Sequence, residues 1–505
     1  MKWRDHMRFI VDEGRLIPEA LAKTNDQTAK PISHIDVASS IPMHPEFPYS
    51  PELLSFLEGK QLLLEELPFP LDLIQAHYEH GYLAYEKGMM KTKHGWRCMR
   101  CGNEENHFFA SFPCARCQAV CTYCRKCIMM GRVSTCTPLV VSRFSFPQAC
   151  YFSPLSWNGI LSQGQQRAAD AVEDAIVRND ELLVWAVCGA GKTEVLFPGI
   201  ARALEMGKRV CIATPRTDVV RELAPRLKQA FPSVPLIALY GGSDDRGKFA
   251  PFVISTTHQL LRFYRAFDVM VIDEVDAFPY SMEPMLEYAV AKARKETSSL
   301  IYLTATPHPK WQKEIKRGKR KAVTIPARYH GFPLPVPSFE WCGNWRKQLK
   351  RSRLPRNVIT WVKLRIETAK QAFLFVPHID ELEQVVRILK QLDERIEGVH
   401  AEDPKRAEKV QAFRDGRIPL LVTTTILERG VTVPNIDVAV LGAEDRIFTE
   451  SALVQIAGRV GRSAQFPSGD IRFFHYGKTR EMVAAKRQIE RMNKEASERG
   501  MLKTQ

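Results

Sequence analysis

The sequence predicts an α/β fold in which two tandem, doubly wound parallel-sheet lobes follow an N-terminal cysteine-rich module. Short, apolar, β-branched runs separated by helical patterns predict the sheets. Strands that run into a glycine-lysine turn and into a carboxylate cluster place ligand-bearing loops at sheet edges. Seven cysteines crowded between residues 98 and 127 set the N-terminal module apart. At roughly 100 to 200 residues per domain, the 505 residues suggest about three domains.

Residues 1–95 are mixed and Pro-rich and read as an N-terminal extension without recognisable chemistry. Residues 71–88 carry Leu, Ile, Tyr and His at near-helical spacing, which predicts a small helical segment. No apolar run is long enough for a membrane-spanning helix, and residues 1–20 lack the continuous apolar core of a signal peptide. A cytoplasmic protein is therefore expected, with peripheral attachment at the inner face of the membrane left open. The net charge of +15 and pI near 9.2 favour a polyanion such as nucleic acid as partner.

Residues 96–136 form the cysteine module. Cys98-Met99-Arg100-Cys101 and Cys124-Arg125-Lys126-Cys127 are two C-x2-C knuckles with 22 residues between them. Thiolates at this spacing can converge on one tetrahedral Zn2+. The metal is expected to be structural, because all four positions are filled by Cys98, Cys101, Cys124 and Cys127. Cys114, Cys117, Cys121 and His107 lie between or beside them, and sequence leaves open whether they join a second site.

Residues 150–330 are expected to form the first lobe and residues 331–490 the second. Continuous apolar runs at 182–187, 210–213, 252–255, 269–272 and 300–303 belong to the first, and runs at 372–376, 420–423 and 438–441 to the second. Such runs mark parallel strands buried on both faces. From Thr479 onward the chain reads as a charged helix, with Lys486, Arg487, Glu490, Arg491 and Lys494 on a solvated face.

The first of these strands enters Cys188-Gly189-Ala190-Gly191-Lys192-Thr193 and then a helical start. Glycines let successive backbone N–H groups turn inward toward phosphate oxygens, and the helix N-terminus adds a favourable dipole. Gly189, Ala190, Gly191, Lys192 and Thr193 are thus candidates for an ATP site, with Lys192 on the β- and γ-phosphates and Thr193 on Mg2+. Ala186 stands where the strict pattern has its first glycine. A second strand ends in Asp273-Glu274-Val275-Asp276. Carboxylates at the carboxyl edge of a parallel sheet sit where α/β ligands bind. Asp273 is expected to hold Mg2+ through water, and Glu274 to polarise the attacking water.

The order of these motifs resembles a superfamily 2 helicase core related to the DEAD-box proteins, over roughly residues 160–480. Leu161-Ser162-Gln163-Gly164-Gln165 is similar to the adenine-reading glutamine motif, with Gln165 as the reader. Thr214-Pro215-Arg216, Ser255-Thr256-Thr257-His258, Thr304-Ala305-Thr306, Phe373-Leu374-Phe375-Val376-Pro377 and Thr423-Thr424-Thr425-Ile426-Leu427-Glu428-Arg429-Gly430 resemble successive helicase motifs. Gln455-Ile456-Ala457-Gly458-Arg459-Val460-Gly461-Arg462 resembles the last of them. The resemblance implies two RecA-like lobes with ATP between them. It makes Arg459 and Arg462 the arginines that stabilise charge on the transferring phosphoryl group. It makes Pro215, Arg216, Thr256, Thr257, Thr423 and Thr424 candidates for nucleic-acid backbone contacts, which position without reading sequence.

Within this group the chain resembles the late-competence DNA-uptake ATPase family, ComFA. The likeness rests on Trp96-Arg97-Cys98 through Cys101, on Tyr123 through Cys127, on Thr256-Thr257-His258-Gln259-Leu260-Leu261, on Asp273-Glu274-Val275-Asp276-Ala277-Phe278-Pro279-Tyr280 and on residues 423–431. Cys114, Cys117 and Cys121 are not part of that pattern. The resemblance implies an ATP-dependent, helicase-like motor that translocates single-stranded DNA during natural transformation. Its implied partners are other competence proteins, including a ComFC-type partner and a membrane DNA channel. The main alternative is a primosomal helicase of the PriA type, in which the cysteine module interrupts the helicase core instead of preceding it. A non-translocating, ATP-switched clamp and an RNA-remodelling helicase are the others.

Overall fold

A computed structural model describes residues 7–22, 29–36, 41–428 and 433–503. The chain divides into two compact units. One comprises Met1–Asn158, Glu173–Glu181 and Pro198–Tyr302; the other comprises Gly159–Val172, Leu182–Phe197 and Leu303–Gln505.

Both doubly wound sheets expected from the sequence are present. The seven strands of the first run in the order Leu236–Leu239, Phe252–Thr256, Val210–Thr214, Phe267–Ile272, Arg294–Thr304, Glu181–Ala186 and Ala322–Ile325. The six strands of the second run in the order Ser338–Trp341, Ile471–His475, Asp437–Leu441, Ala372–Phe375, Leu420–Thr423 and Glu397–Val399. Neighbours pair in parallel, as in Val210 with Val269 and Ala372 with Leu420. Central strands are sealed on both faces: Val269, Met270, Val271 and Ile272 have no exposed surface. That is why they read as unbroken apolar runs.

Five strands escaped the sequence pattern: Leu236–Leu239, Ala322–Ile325, Ser338–Trp341, Glu397–Val399 and Ile471–His475. Four of them are the outer strands of the two sheets. An edge strand has one neighbour and tolerates polar residues such as Thr324, Glu340 and Glu397, which interrupt the apolar pattern in three of these strands; Leu236–Leu239 is wholly apolar, and nothing in its composition hides it. Ile471–His475 lies inside its sheet but is broken up by Arg472 and His475.

In the N-terminal region, Pro138–Ser142 pairs antiparallel with Gln61–Leu63 on one side and Leu83–Lys87 on the other. The cysteine-bearing hairpins are therefore an excursion between two strands of one small sheet. Helix Pro51–Leu57 starts where Ser50 accepts a hydrogen bond from the Leu53 N–H, with Pro51 in the first turn, a favoured helix start. The helical segment expected over 71–88 is shorter. Helix Leu71–Glu79 gives way to the strand Leu83–Lys87. Gly81 turns the chain between them at φ +80°, where a Cβ would come within 2.4 Å of the Pro42 carbonyl oxygen.

The C-terminal helix is Arg480–Glu498, capped by the Thr479 hydroxyl, which accepts from the Met482 N–H at 3.3 Å. Its charged face carries exposed Arg487, Glu490, Arg491 and Lys494, while Met482, Ala485, Ile489, Met492 and Ala496 are buried. Half the helix is thus core, not solvated surface alone. Among the described residues no helix is long and apolar enough to cross a membrane.

Candidate nucleotide site and metal centre

The strand Glu181–Ala186 leads into the turn 188–191, and helix Lys192–Glu205 begins directly after it. Gly189 and Gly191 take φ values of +82° and +72°, backbone that side chains rarely adopt. At Gly191 a Cβ would lie 2.4 Å from Gln165 Nε2 and 3.2 Å from Glu194 Oε2. The Gln165 carboxamide is why that space is filled. It donates to the Ala190 carbonyl at 2.9 Å and accepts from the Ser162 N–H at 2.9 Å. Gln165, which the sequence offered as an adenine reader, braces the loop from behind. Lys192 and Thr193 are half-buried on the first turn of the helix.

The segment carrying Arg459 and Arg462 lies in the same unit and against the same turn. The Cys188 thiol donates to Gln455 Oε1 at 3.0 Å. A Cβ on Gly458 would come within 2.5 Å of the Cys188 Cβ, so only glycine allows this approach. Arg459 is 1% exposed, with its guanidinium 5.8 Å from the Phe373 ring centroid. Arg462 Nε donates to the Gly458 carbonyl at 3.0 Å.

A residue that no motif flagged holds these pieces together. Arg328 is 2% exposed. Its Nε donates to the Cys188 carbonyl at 3.2 Å, one Nη to the Gly458 carbonyl at 3.3 Å, and the other Nη to the Gly461 carbonyl. One planar guanidinium therefore ties the phosphate-type turn to both ends of the arginine segment, a geometry that lysine cannot copy. Burial, with Arg462 nearby, pulls its pKa down to about 10. His330 adds a ring-nitrogen hydrogen bond to the Gly461 carbonyl at 3.1 Å.

In the other unit, strand Phe267–Ile272 ends at Asp273, whose N–H donates to the Ala213 carbonyl at 2.8 Å. The Asp273 carboxylate accepts from the Glu274 N–H at 2.9 Å. Glu274 takes φ +55°, a turn conformation that is strained for a non-glycine residue.

The expected nucleic-acid residues differ in reach. Pro215 is buried, Thr256 and Thr257 are 5% and 0% exposed, and Thr423 and Thr424 are 0% and 9% exposed. The Thr423 hydroxyl donates to the Val399 carbonyl at 2.9 Å. Arg216 alone of the six is half-buried, at the start of helix Thr217–Ala230. Arg429 and Gly430 of the fifth helicase motif lie outside the described residues.

The thiols of Cys98, Cys101, Cys124 and Cys127 lie within 4.8 Å of one another and are all buried. The Sγ–Sγ separations of 3.8 Å for Cys98–Cys127 and 3.7 Å for Cys101–Cys124 match the edge of a zinc–thiolate tetrahedron, roughly 3.8 Å for bonds of about 2.3 Å. Arg100, 2% exposed, donates to Cys127 Sγ at 3.1 Å and to the Cys127 and Gly131 carbonyls at 2.7 and 2.6 Å. It supplies positive charge beside a thiolate centre and orients one ligand.

This centre packs on helix Pro284–Ala293, which follows the carboxylate turn. Tyr288 donates to the Met99 carbonyl at 3.2 Å, and a Cβ on Gly102 would strike the Tyr288 ring at 2.7 Å. On the same helix Lys292 donates to Gln61 Oε1 and the Leu261 carbonyl, both at 2.8 Å. Close by, Lys60 is buried and donates to the Phe56 carbonyl at 2.7 Å. Burial, reinforced by Arg209 and Arg262, lowers its pKa to about 7.

Comparison with known proteins covers all three regions. The model of the competence protein ComFA N-terminal domain matches residues 43–141. That of the DEAD/DEAH box helicases matches 162–315, and that of the helicase conserved C-terminal domain 352–464. Competence protein ComFA of Bacillus subtilis (strain 168) is 50% identical over 458 residues, covering 91% of this chain and 98% of that protein. Competence protein ComFA of Streptococcus pneumoniae (strain ATCC BAA-255 / R6) is 41% identical over 378 residues, covering 74% and 86%. The ATP-dependent DNA helicase RecG of Streptococcus pneumoniae serotype 4 is 24% identical over 329 residues, covering 60% of this chain and 47% of that protein.

Proposed function

The chain belongs to the ComFA family of competence proteins and is an ATP-hydrolysing enzyme of the superfamily 2 helicase type, and from that premise we propose that it is a single-stranded DNA translocase that drives DNA uptake. The observation that carries the proposal is the seating of the Gly458–Arg462 segment on the Cys188–Gly191 turn, with Arg328 between them. A phosphate loop in contact with a segment rich in arginine is what a switch sensitive to the γ-phosphate needs.

In this reading Lys192 binds the β- and γ-phosphates, Thr193 and Asp273 hold Mg2+, and Glu274 orients the attacking water. Arg459 and Arg462 stabilise the charge that develops on the transferred phosphoryl group. Loss of the γ-phosphate removes the ligand to which Lys192 and the arginines both bind, so the arginine segment is released once per turnover. Coupled to a DNA grip, that release is a step along the strand. Arg216 offers the direct cationic contact to the DNA backbone. The buried threonines at 256, 257, 423 and 424 would act through backbone N–H groups at the sheet edges. A zinc ion on Cys98, Cys101, Cys124 and Cys127 would fix the N-terminal module to helix Pro284–Ala293. Other competence proteins, a ComFC-type partner and a membrane DNA channel complete the proposed setting, with the motor on the cytoplasmic side.

The test is the steady-state ATPase rate with single-stranded DNA, duplex DNA and single-stranded RNA, beside a strand-displacement assay. Stimulation by single-stranded DNA that is lost in Lys192→Ala supports the motor. Equal rates with and without DNA point to a clamp, and preferential stimulation by RNA points to RNA remodelling. Either outcome, or full DNA-stimulated activity in Lys192→Ala, overturns the proposal.

A further inference from the structure

We infer that Cys114, Cys117, Cys121 and Cys136 hold a second, structural zinc ion, separate from the one assigned to the Cys98 set. The sequence supplied three of these thiols and offered His107 as a fourth ligand. The fold supplies a different one. His107 is exposed and lies 3.8 Å from Glu105, whereas Cys136 arrives from the loop ahead of strand Pro138–Ser142. All four sulfurs lie within 4.8 Å of one another, and the four residues are 5%, 2%, 0% and 1% exposed.

Three features distinguish this cluster from ordinary buried cysteines, which pack as small apolar residues. First, the four thiols come from different places: the end of strand Phe109–Cys114, the turn after it, the strand Ala119–Cys124, and the loop that carries Cys136. Packing alone gives no reason for four separate backbone positions to aim sulfur at one point. Second, the spread fits one ion. Cys114 and Cys136 are 4.0 Å apart and Cys117 and Cys121 3.2 Å, bracketing the roughly 3.8 Å edge of a tetrahedral zinc–thiolate site. An iron–sulfur cluster divides its thiolates between iron atoms and needs them further apart.

Third, the backbone repeats the turn of the other site. Cys98-x2-Cys101 is followed by Gly102 at φ +70°, and Cys114-x2-Cys117 is followed by Gln118 at φ +53°. Glutamine in that region is strained, so a metal-ligating knuckle accounts for a conformation that its own sequence does not favour.

The proposed ion has a definite structural task. The Cys98 set faces Tyr288, whereas the second set belongs to the N-terminal core with Leu53, Leu57 and Ile74. It would staple the Phe109–Cys114 and Ala119–Cys124 hairpin to the small sheet at Pro138–Ser142. A small core gains most from such a staple.

Zinc and iron are measured per chain on the full-length protein purified without chelator. Two zinc ions and no iron are expected in the wild type. One zinc is expected in Cys98→Ser/Cys101→Ser, and one in Cys117→Ser/Cys121→Ser. Cobalt loading adds a readout of ligand type: sulfur-to-cobalt charge-transfer absorption halves in each double variant. If the Cys117→Ser/Cys121→Ser chain does not fold, the wild type and the Cys98→Ser/Cys101→Ser chain decide between them. One zinc in the wild type with none in that variant overturns the inference. So does stoichiometric iron, or a Cys117–Cys121 disulfide in the intact mass of freshly purified protein.

Discussion

Arg328→Ala should disable the ATPase although Arg328 itself lies in none of the helicase-like motifs. The guanidinium donates to three carbonyls, those of Cys188, Gly458 and Gly461, from a position 2% exposed. A hydrogen bond from a charged donor contributes about 1.5–3 kcal/mol. The three are not additive: the Gly458 and Gly461 carbonyls keep Arg462 and His330 as partners, so the loss falls mainly on the Cys188 carbonyl. With about 1–3 kcal/mol added for leaving that buried carbonyl unsatisfied, the loss totals about 3–5 kcal/mol. If about 2.7 kcal/mol of that reaches the transition state, through a displaced Arg459 and Arg462, kcat falls about 100-fold. Arg328→Lys keeps the charge, but its ammonium cannot span three carbonyls, so it should recover only a small part of the rate. The assay is DNA-stimulated ATPase resolved into kcat and KM, with a thermal melt of each variant. An Arg328→Ala protein within twofold of wild type in kcat and KM, melting at the same temperature, would refute the reasoning.

Gly191→Ala should weaken nucleotide binding at least about 10-fold. Its Cβ meets Gln165 Nε2 at 2.4 Å on backbone at φ +72°, combining a clash with left-handed strain. Gly189→Ala, whose nearest neighbour is Arg328 at 3.6 Å, adds only the strain and should lose clearly less. Fluorescent-nucleotide titration separates the two, and equal affinities would contradict the packing. Lys60 gives a pH dependence. Its folded pKa, about 7, lies below the unfolded value near 10.4, so between those values the unfolded chain binds more protons. Stability from this group therefore rises with pH from about 7 toward 10, by at most about 1.4 kcal/mol per pH unit. Lys60→Met should flatten that slope in denaturant melts taken from pH 7 to 9; an unchanged slope would count against the buried, uncharged lysine.

What the chain announced by itself is what short stretches encode. Central strands carry runs, such as 269–272, that are apolar on both faces, so composition alone marks them. The phosphate-type turn, the carboxylate turn and the C-x2-C knuckles are contiguous, and their chemistry depends on neighbours a few residues apart. Tertiary structure decided everything that joins distant segments. Arg328 reaches across 140 positions to Cys188 and 133 to Gly461, and no spacing rule records such a pair. Cys136 becomes a candidate ligand because the chain returns as the middle strand of a sheet begun at Gln61–Leu63. Thr257 and Thr423, polar in sequence, have no exposed surface in the fold. A motif states which atoms are available; only the packing of the whole chain decides which of them face one another and which are buried.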